Sequence, residues 1–116
     1  SSDVCSSDLG SHRRVSPRGP SQIDNLSWSP DGRLIGVGHT GIPIYGTRGC
    51  RDTGGLPCSF PFAVVALDPA TLMPKTLFEQ KHGGIPGASV AVLKDGALYF
   101  GTAFGDRITR VRLSAQ

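Results

Sequence analysis

The chain has 116 residues, of which 16 are Gly and 9 are Pro, in a moderately apolar composition. So many turn-forming residues predict short strands joined by tight turns and argue against a helical bundle. The net charge of +3 is carried by scattered arginines, without the basic stripe and interleaved aromatic residues of a nucleic-acid-binding surface. No apolar run approaches the roughly 20 residues of a membrane-spanning helix. We therefore expect neither nucleic acid nor a membrane span.

The first nine residues, SSDVCSSDL, show no strand or helix periodicity and resemble a translated sequencing adapter at the broken end of a metagenomic gene model. We expect residues 1–9 to be a non-native artefact, and Cys5 is set aside with them. Residues 10–21 are polar and turn-rich, which predicts a loop or frayed end. An adapter here also implies that the gene was cut upstream, so we expect earlier parts of the same chain to be missing.

Short apolar or alternating runs along the remaining chain predict β-strands, and no segment has helical periodicity over three turns. The turn signals Pro30-Asp31-Gly32 and Asp95-Gly96 each join two of these runs into a β-hairpin. Asp68 to Met73 fits either a single helical turn capped by Asp68 or a β-turn. The predicted strands are Asn25–Trp28, Arg33–Gly38, Phe62–Leu67, Lys75–Gln80, Ser89–Leu93, Ala97–Thr102 and Arg107–Leu113.

An internal repeat indicates the architecture, because residues 26–34 align with residues 90–98 at an offset of 64. Blade-type repeats span about 40–50 residues, so we assign the surplus to an insertion at residues 41–61, between the second and third strands. The prediction is an all-β partial β-propeller of about two blades, with four strands and then three, in residues 22–116. Two hairpins of a β-sandwich are the alternative. A two-blade piece would leave one face of each blade open.

The insertion contains Cys50 and Cys58, which are separated by seven residues. This pair is interpreted as a disulfide that closes an irregular loop, and the alternative is two reduced thiols of a cytosolic protein. A disulfide would favour a periplasmic or secreted location over the cytoplasm. The histidines and cysteines of the chain do not have the spacing of zinc ligands.

Asp24 and Asn25 are the most informative polar pair, because they lie where the first predicted strand begins. At the top of an inner propeller strand, a carboxylate and an amide would point towards the propeller axis, where oxygen ligands for calcium can be gathered. The alternative is an Asx-turn at Asp24 with Asn25 capping the strand. We expect Asn25 to be buried, so the formal glycosylation triplet Asn25-Leu26-Ser27 is discounted.

His39 ends the second predicted strand in Gly38-His39-Thr40-Gly41. A histidine beside glycine at a strand end can reach the mouth of a site, where it would orient a substrate or move a proton. The alternative is an ordinary solvated or core histidine.

Three segments carry a family resemblance: IDNLSWSPDGRLIGVGHTG, FPFAVVALDPATL and GASVAVLKDGALYFGTAFGDRITRV. They resemble the C-terminal part of the paraoxonase/arylesterase-like propellers and of the proteins grouped with gluconolactonase, senescence marker protein 30 and strictosidine synthase. The resemblance implies a six-bladed β-propeller whose axial calcium serves the hydrolysis of small lactones or esters. It implies that Asp24 and Asn25 are calcium ligands and that His39 lines the active-site mouth.

The same resemblance implies that the other calcium ligands lie on earlier blades, so we expect this fragment alone to be inactive. In the intact parent, calcium would polarise the substrate carbonyl while a histidine or carboxylate activates water. The alternative function is a non-catalytic propeller that binds a ligand or a protein, since this fold hosts both roles. A condensing enzyme of the strictosidine synthase type is a weaker third interpretation, because it does not need the Asp-Asn pair.

Overall fold

The computed structural model describes residues 12–40, 61–81, 85, 87–103 and 105–114. These residues form seven strands in two antiparallel sheets and contain no helix, which confirms the predicted all-β class. Within the same described ranges there is no helix of the length and apolarity needed to cross a membrane. The strands are β1 Gln22–Trp28, β2 Leu34–His39, β3 Phe62–Leu67, β4 Pro74–Gln80, β5 Ala88–Lys94, β6 Ala97–Thr102 and β7 Thr109–Arg112.

The first sheet has the order β1-β2-β3-β4 and the second the order β5-β6-β7, so each strand pairs with its neighbour in sequence. The strand β3 is buried on both faces from Phe62 to Ala66, as its continuous apolar run predicts for a central strand. By contrast, β1 is an edge strand, and all its residues except Ser27 are exposed. At the end of β2, the amide of Thr40 donates to the carbonyl of Pro61 at 3.0 Å, where the chain enters β3.

The two Asp-Gly hairpins close with different turns. In the β5–β6 hairpin Asp95 and Gly96 both have positive φ, 51° and 76°, which is the two-residue type I′ turn. In the β1–β2 hairpin only Gly32 has positive φ, and its amide donates to the carbonyl of Ser29 at 3.0 Å. Pro30 has no amide hydrogen to close a two-residue turn at Asp31-Gly32, so this hairpin takes a longer loop.

A β-bulge interrupts the first strand pair of each sheet near the end opposite the Asp-Gly turn. The register of β1 shifts at Asp24 and that of β5 shifts at Ser89, so neither residue has a partner on the adjacent strand. A bulge bends its strand and re-aims the extra side chain. Both sheets therefore carry the same irregularity at the same place.

The bulges show how the two hairpins correspond. When the two bulges are aligned, Trp28 of β1 corresponds to Leu93 of β5, which lies 65 residues later in the chain. Their partners on the adjacent strands, Leu34 and Leu98, are separated by 64 residues. The constant offset of 64 predicted from the sequence is therefore wrong for the first strand. The reason is the loop of the first hairpin, which is one residue longer than the loop of the second.

The two sheets pack face to face around one apolar core, and the faces in contact are called the inner faces. The ring of Phe100 lies 5.4 Å from that of Phe62 and 5.9 Å from that of Phe78, which joins β6 to β3 and β4. The buried members of this core are Ile35, Val37, Phe62, Val64, Ala66, Ile85, Ala88, Ala91, Leu98 and Phe100. The core therefore draws on both sheets.

The opposite, outer faces of the two sheets carry exposed apolar side chains, although Ala63 and Val65 of β3, which lie on the first of them, are buried. Ile23, Leu26 and Trp28 make up the first outer face, and Trp28 is 64% exposed. Val92 and Tyr99 make up the second outer face, with 41% and 37% exposure. The exposed part of the first outer face therefore lies along the edge strand β1, and the expectation that one whole face of each sheet is uncovered stays a prediction.

The turn between β3 and β4 is a single helical turn. The amide of Leu72 donates to the carbonyl of Asp68 at 2.6 Å, and the Asp68 carboxylate accepts from the amide of Ala70 at 2.8 Å, as at a helix N-terminus. The guanidinium of Arg14 donates to the carbonyl of Ala70 and so attaches the segment before β1 to this turn. The helical-turn alternative is thus confirmed over the β-turn.

Candidate functional site

The site is built on the bulge of β1. The bulge leaves Asp24 exposed and without a strand partner, which frees its carboxylate from the sheet. A Cβ atom built on Gly38 would lie 1.6 Å from the carbonyl oxygen of Gln22. Only glycine fits this position of β2, because any side chain would push the two strands apart beside the bulge. The Gly38-His39 sequence thus contributes to the geometry that places Asp24.

Asn25 ties the bulge to the second sheet. Its side-chain amide donates to the carbonyl of Ser89 at 2.9 Å, and the Ser27 hydroxyl donates to the carbonyl of Ala91 at 2.6 Å. The amide nitrogen of Asn25 is therefore used, while its carbonyl oxygen is the atom suited to ligate a cation. The prediction that Asn25 is buried is wrong, because β1 is an edge strand and Asn25 is exposed.

His39 lies beside the bulge at the end of β2, opposite Gln22 on β1 and Phe62 on β3. Burial lowers the pKa of the His39 imidazole below its ordinary range, and the negative charge of Asp24 offsets part of this change by raising it. The structure therefore brings together two residues that the sequence placed 15 positions apart, Asp24 and His39. Near neutral pH the imidazole is neutral and able to accept a proton.

A pocket of about 320 Å³ opens beside His39. Its other walls are the chain before β1, from Arg18 to Ser21, together with Gln22. The hydroxyl oxygen of Ser21 is buried and has no hydrogen-bond partner among the described residues. A buried hydroxyl without a partner is unfavourable unless a ligand or water forms a hydrogen bond with it, so Ser21 is a candidate for contact with a bound molecule.

Nothing in the sequence indicated that Arg18 and Ser21 line a pocket, since this turn-rich segment was expected to be only a loop or frayed end. It does run without helix or strand from residue 12 to residue 21. However, the anchor from Arg14 to Ala70 and the contact with His39 place it against the sheet. A tertiary contact of this kind leaves no periodic signal in a sequence.

The donor atoms at the bulge suit calcium, although they are few. Calcium prefers carboxylate and amide oxygens and takes six to eight of them. Asp24 and Asn25 supply two such groups, and the described residues contain no cluster of three or more His, Cys, Asp or Glu that could hold a metal. The pair thus fits part of a calcium site, whose other ligands would come from outside the described residues.

The remaining predicted site residues, Cys50 and Cys58, lie outside the described residues, as does the rest of the predicted insertion from residue 41 to residue 60. The adapter-like residues 1–9 lie outside them as well. The disulfide and the adapter interpretation therefore stay predictions.

Comparison of the chain with protein-family models, with curated proteins and with solved structures finds no match.

Proposed function

We propose that this chain is part of a calcium-dependent hydrolase of lactones or esters, in which its two sheets are two blades of a six-bladed β-propeller. The observation that carries the proposal is the grouping of Asp24, Asn25 and His39 at one end of the first sheet, beside a pocket. A carboxylate, an amide oxygen and a neutral imidazole are the groups that metal-assisted hydrolysis requires.

The sheet architecture supports the propeller interpretation in three ways. Both sheets are meanders, both carry a bulge in the first strand, and their inner faces pack through β1, β2 and β5. Exposed apolar side chains remain on both outer faces, which suits blades that further blades cover on either side. In the parent protein, other blades of the same chain would cover these faces and supply the remaining calcium ligands.

Each residue at the site has a distinct proposed role. Asp24 and Asn25 would hold the calcium ion through their oxygens, and a calcium ion bound there would polarise the substrate carbonyl. His39, neutral because burial lowers its pKa, would accept a proton from the attacking water. The pocket along Ser21 and Gln22 would receive the substrate.

The test uses the intact parent protein, assayed with a lactone and an aryl ester before and after calcium is removed with a chelator. We expect hydrolysis to disappear on chelation and to return when calcium, but not magnesium, is added back, since magnesium demands a smaller octahedral site. Hydrolysis that survives complete calcium removal would contradict the metal role. If the intact parent hydrolyses neither substrate, a non-catalytic propeller that binds a ligand or protein becomes the better interpretation.

A further inference from the structure

A second pocket lies at the end of the two sheets that carries the Asp-Gly turns, opposite the end that carries the bulges. Its volume is about 510 Å³, which lies within the usual range of small-molecule binding sites. The walls of this turn-end pocket include Arg33, Lys75, Leu77, Leu93 and Leu113. These residues lie on or beside strands of both sheets, so the pocket lies where the two inner faces meet. It is therefore separate from the pocket at the bulge.

Three leucines form the apolar part of the turn-end pocket. Leu77, Leu93 and Leu113 are half-buried, and each packs against the buried core. On β4 the register with β3 passes from Phe78 directly to Thr76, so Leu77 is the extra residue of a bulge, and it packs against the core beside Phe78. The described lining residues include no aromatic ring, so apolar contact in this pocket suits an aliphatic chain.

Arg33 is held in place at the wall of the turn-end pocket by one edge of its guanidinium. Its Nε donates to both carboxylate oxygens of Asp31, at 3.2 and 3.0 Å. The hydrogen bond from the Ser29 hydroxyl, followed by that from Arg33, lowers the pKa of the Asp31 carboxyl below its ordinary value, so this carboxylate is ionised near neutral pH. Within the part of the chain that the structure describes, the two terminal nitrogens of Arg33 form no hydrogen bond. They can therefore bind the carboxylate of a ligand as a fork.

Lysines add to the positive charge of the turn-end pocket. Lys75 of β4 lies opposite Ala66, a member of the inner-face core, so its register position belongs to the inner face. Lys94 also lines the pocket, and neither lysine forms an ion pair with a described residue. Asp95 is the carboxylate of the described lining that has no such pair either. The two lysines and the free edge of Arg33 therefore outweigh it and favour an anion.

We propose that the turn-end pocket binds a linear aliphatic monocarboxylate, of the class of a medium-chain fatty acid. Its carboxylate accepts hydrogen bonds from Arg33 and Lys75, and its hydrocarbon chain lies against the three leucines. A pocket with aliphatic walls and a cationic rim matches the two chemically distinct parts of such a ligand. The inference rests on the end of the sheets opposite the bulges and does not depend on the proposed hydrolase activity.

Titration of the full chain with octanoate tests this proposal, with octan-1-ol and octylammonium as probes that share the chain but lack the negative charge. Binding is followed by NMR at the leucine methyl groups, and the exposed indole N–H of Trp28 reports contact with the first outer face. Arg33→Gln removes the guanidinium from the pocket. Arg110→Gln is the matched control, because it removes the same charge from β7, where Arg110 lies opposite Tyr99 and outside the pocket lining. Circular dichroism checks the β-sheet content of each variant.

We expect octanoate to bind saturably and to shift the methyl signals of Leu77, Leu93 and Leu113. Octan-1-ol and octylammonium should bind about tenfold more weakly or worse, because neither offers a carboxylate to the guanidinium. Arg33→Gln should weaken octanoate binding by about tenfold or more, as for loss of a charge-assisted hydrogen bond. Arg110→Gln should change it by less than about twofold, within the scatter of a surface substitution.

Four results would overturn the proposal: no saturable binding of octanoate, equally tight binding of octan-1-ol, equal effects of the two arginine variants, or shifts confined to Trp28. Arg33 also holds Asp31 in the first turn, so Lys75→Gln replaces Arg33→Gln if that variant loses its β-sheet signal. Lys75 is exposed and forms no ion pair with a described residue, so its substitution leaves the fold intact. Lys75→Gln must weaken octanoate binding about threefold or more, and unchanged binding would equally overturn the proposal.

Discussion

The β1–β2 and β5–β6 hairpins share one backbone design but differ in the side chains that it presents. Both have a bulge in the first strand and an Asp-Gly turn. At the bulge the first hairpin has Asp24 where the second has Ser89, and His39 at the end of β2 corresponds to Ala103 after β6. At the bulge end, therefore, the first hairpin carries the ionisable side chains Asp24 and His39 where the second carries Ser89 and Ala103.

The largest expected effect comes from removing the Asp24 carboxylate, which distinguishes the bulge of the first hairpin from that of the second. In the intact parent, Asp24→Ala should abolish calcium binding and lower lactone hydrolysis by about a hundredfold or more, because a charged ligand is lost together with the ion that stabilises the oxyanion. Ser89→Ala at the corresponding bulge should change both by less than about twofold, within the scatter of an ordinary surface substitution. Calorimetry for calcium and a lactone assay measure the two effects.

If Asp24→Ala binds calcium and turns over normally, Asp24 forms only an Asx-turn at the bulge. The calcium assignment would then be withdrawn, and the two hairpins would be equivalent in chemistry as well as in backbone.

His39→Gln should separate proton transfer from metal binding. Glutamine keeps a polar side chain of similar reach but cannot accept a proton, so turnover should fall by roughly ten- to a thousandfold while calcium affinity is unchanged. His12→Gln is the matched control, since His12 is exposed and lies in the segment before β1. A parallel loss of calcium affinity in His39→Gln would mean that His39 supports the metal site and does not transfer a proton.

Each of the two hairpin turns should need its glycine for the same reason, which is the positive φ of that residue. Gly32 and Gly96 have positive φ, and no atom lies within 4 Å of a Cβ built on either residue. Alanine at each position therefore costs backbone strain alone, about 1 kcal/mol in the free energy of unfolding. Gly19→Ala is the control, because that site is equally open and has no positive φ. Urea unfolding at low protein concentration measures the differences, and equal stability of all three variants would contradict the strain argument.

Most of the strand layout could be predicted from local pattern. The run Phe62–Leu67 coincides with β3, and Ala97–Thr102 coincides with β6, because continuous apolar runs bounded by turn residues carry their own boundaries. The alternating run from residue 107 to residue 113 predicted a longer strand than the observed β7, Thr109–Arg112, since only these four residues pair with β6. Strand ends depend on partners, which a single strand does not specify.

The site was less predictable than the sheets. Asp24, Asn25 and His39 were named from the sequence, but the exposure of Asn25 follows from the edge position of β1. The bulge at Asp24 accompanies the close approach of β1 and β2 at Gly38. Similarly, the walls formed by Arg18 and Ser21 exist only because the chain before β1 folds back against His39. Such contacts bring together residues that are far apart in the sequence, and local propensity does not encode them.

The smallest and most specific effect concerns the coupling between Asp24 and His39. Burial lowers the pKa of His39, and the charge of Asp24 raises it in part, so removing that charge should lower the pKa of His39 further. Asp24→Asn removes the charge and nearly preserves the shape. Asp95→Asn is the matched control, because Asp95 lies in the turn at the other end of the second sheet and asparagine tolerates its positive φ.

Titration of the His39 ring protons by NMR in this chain measures the effect without calcium or substrate. We expect a pKa below the ordinary imidazole value of about 6.5 in the wild type, a lower value in Asp24→Asn, and no change in Asp95→Asn. The direction of the pKa shift of His39 also predicts how the stability of the fold depends on pH. The unfolded state takes up the His39 proton at a higher pH than the folded state does. The contribution of this group to stability is therefore complete above pH 6.5 and is lost as the pH falls through the lowered pKa, and Asp24→Asn extends that loss to lower pH. A pKa of His39 that does not respond to Asp24→Asn would show that the two side chains are not coupled, and the first hairpin would then hold two separate polar groups in place of one site.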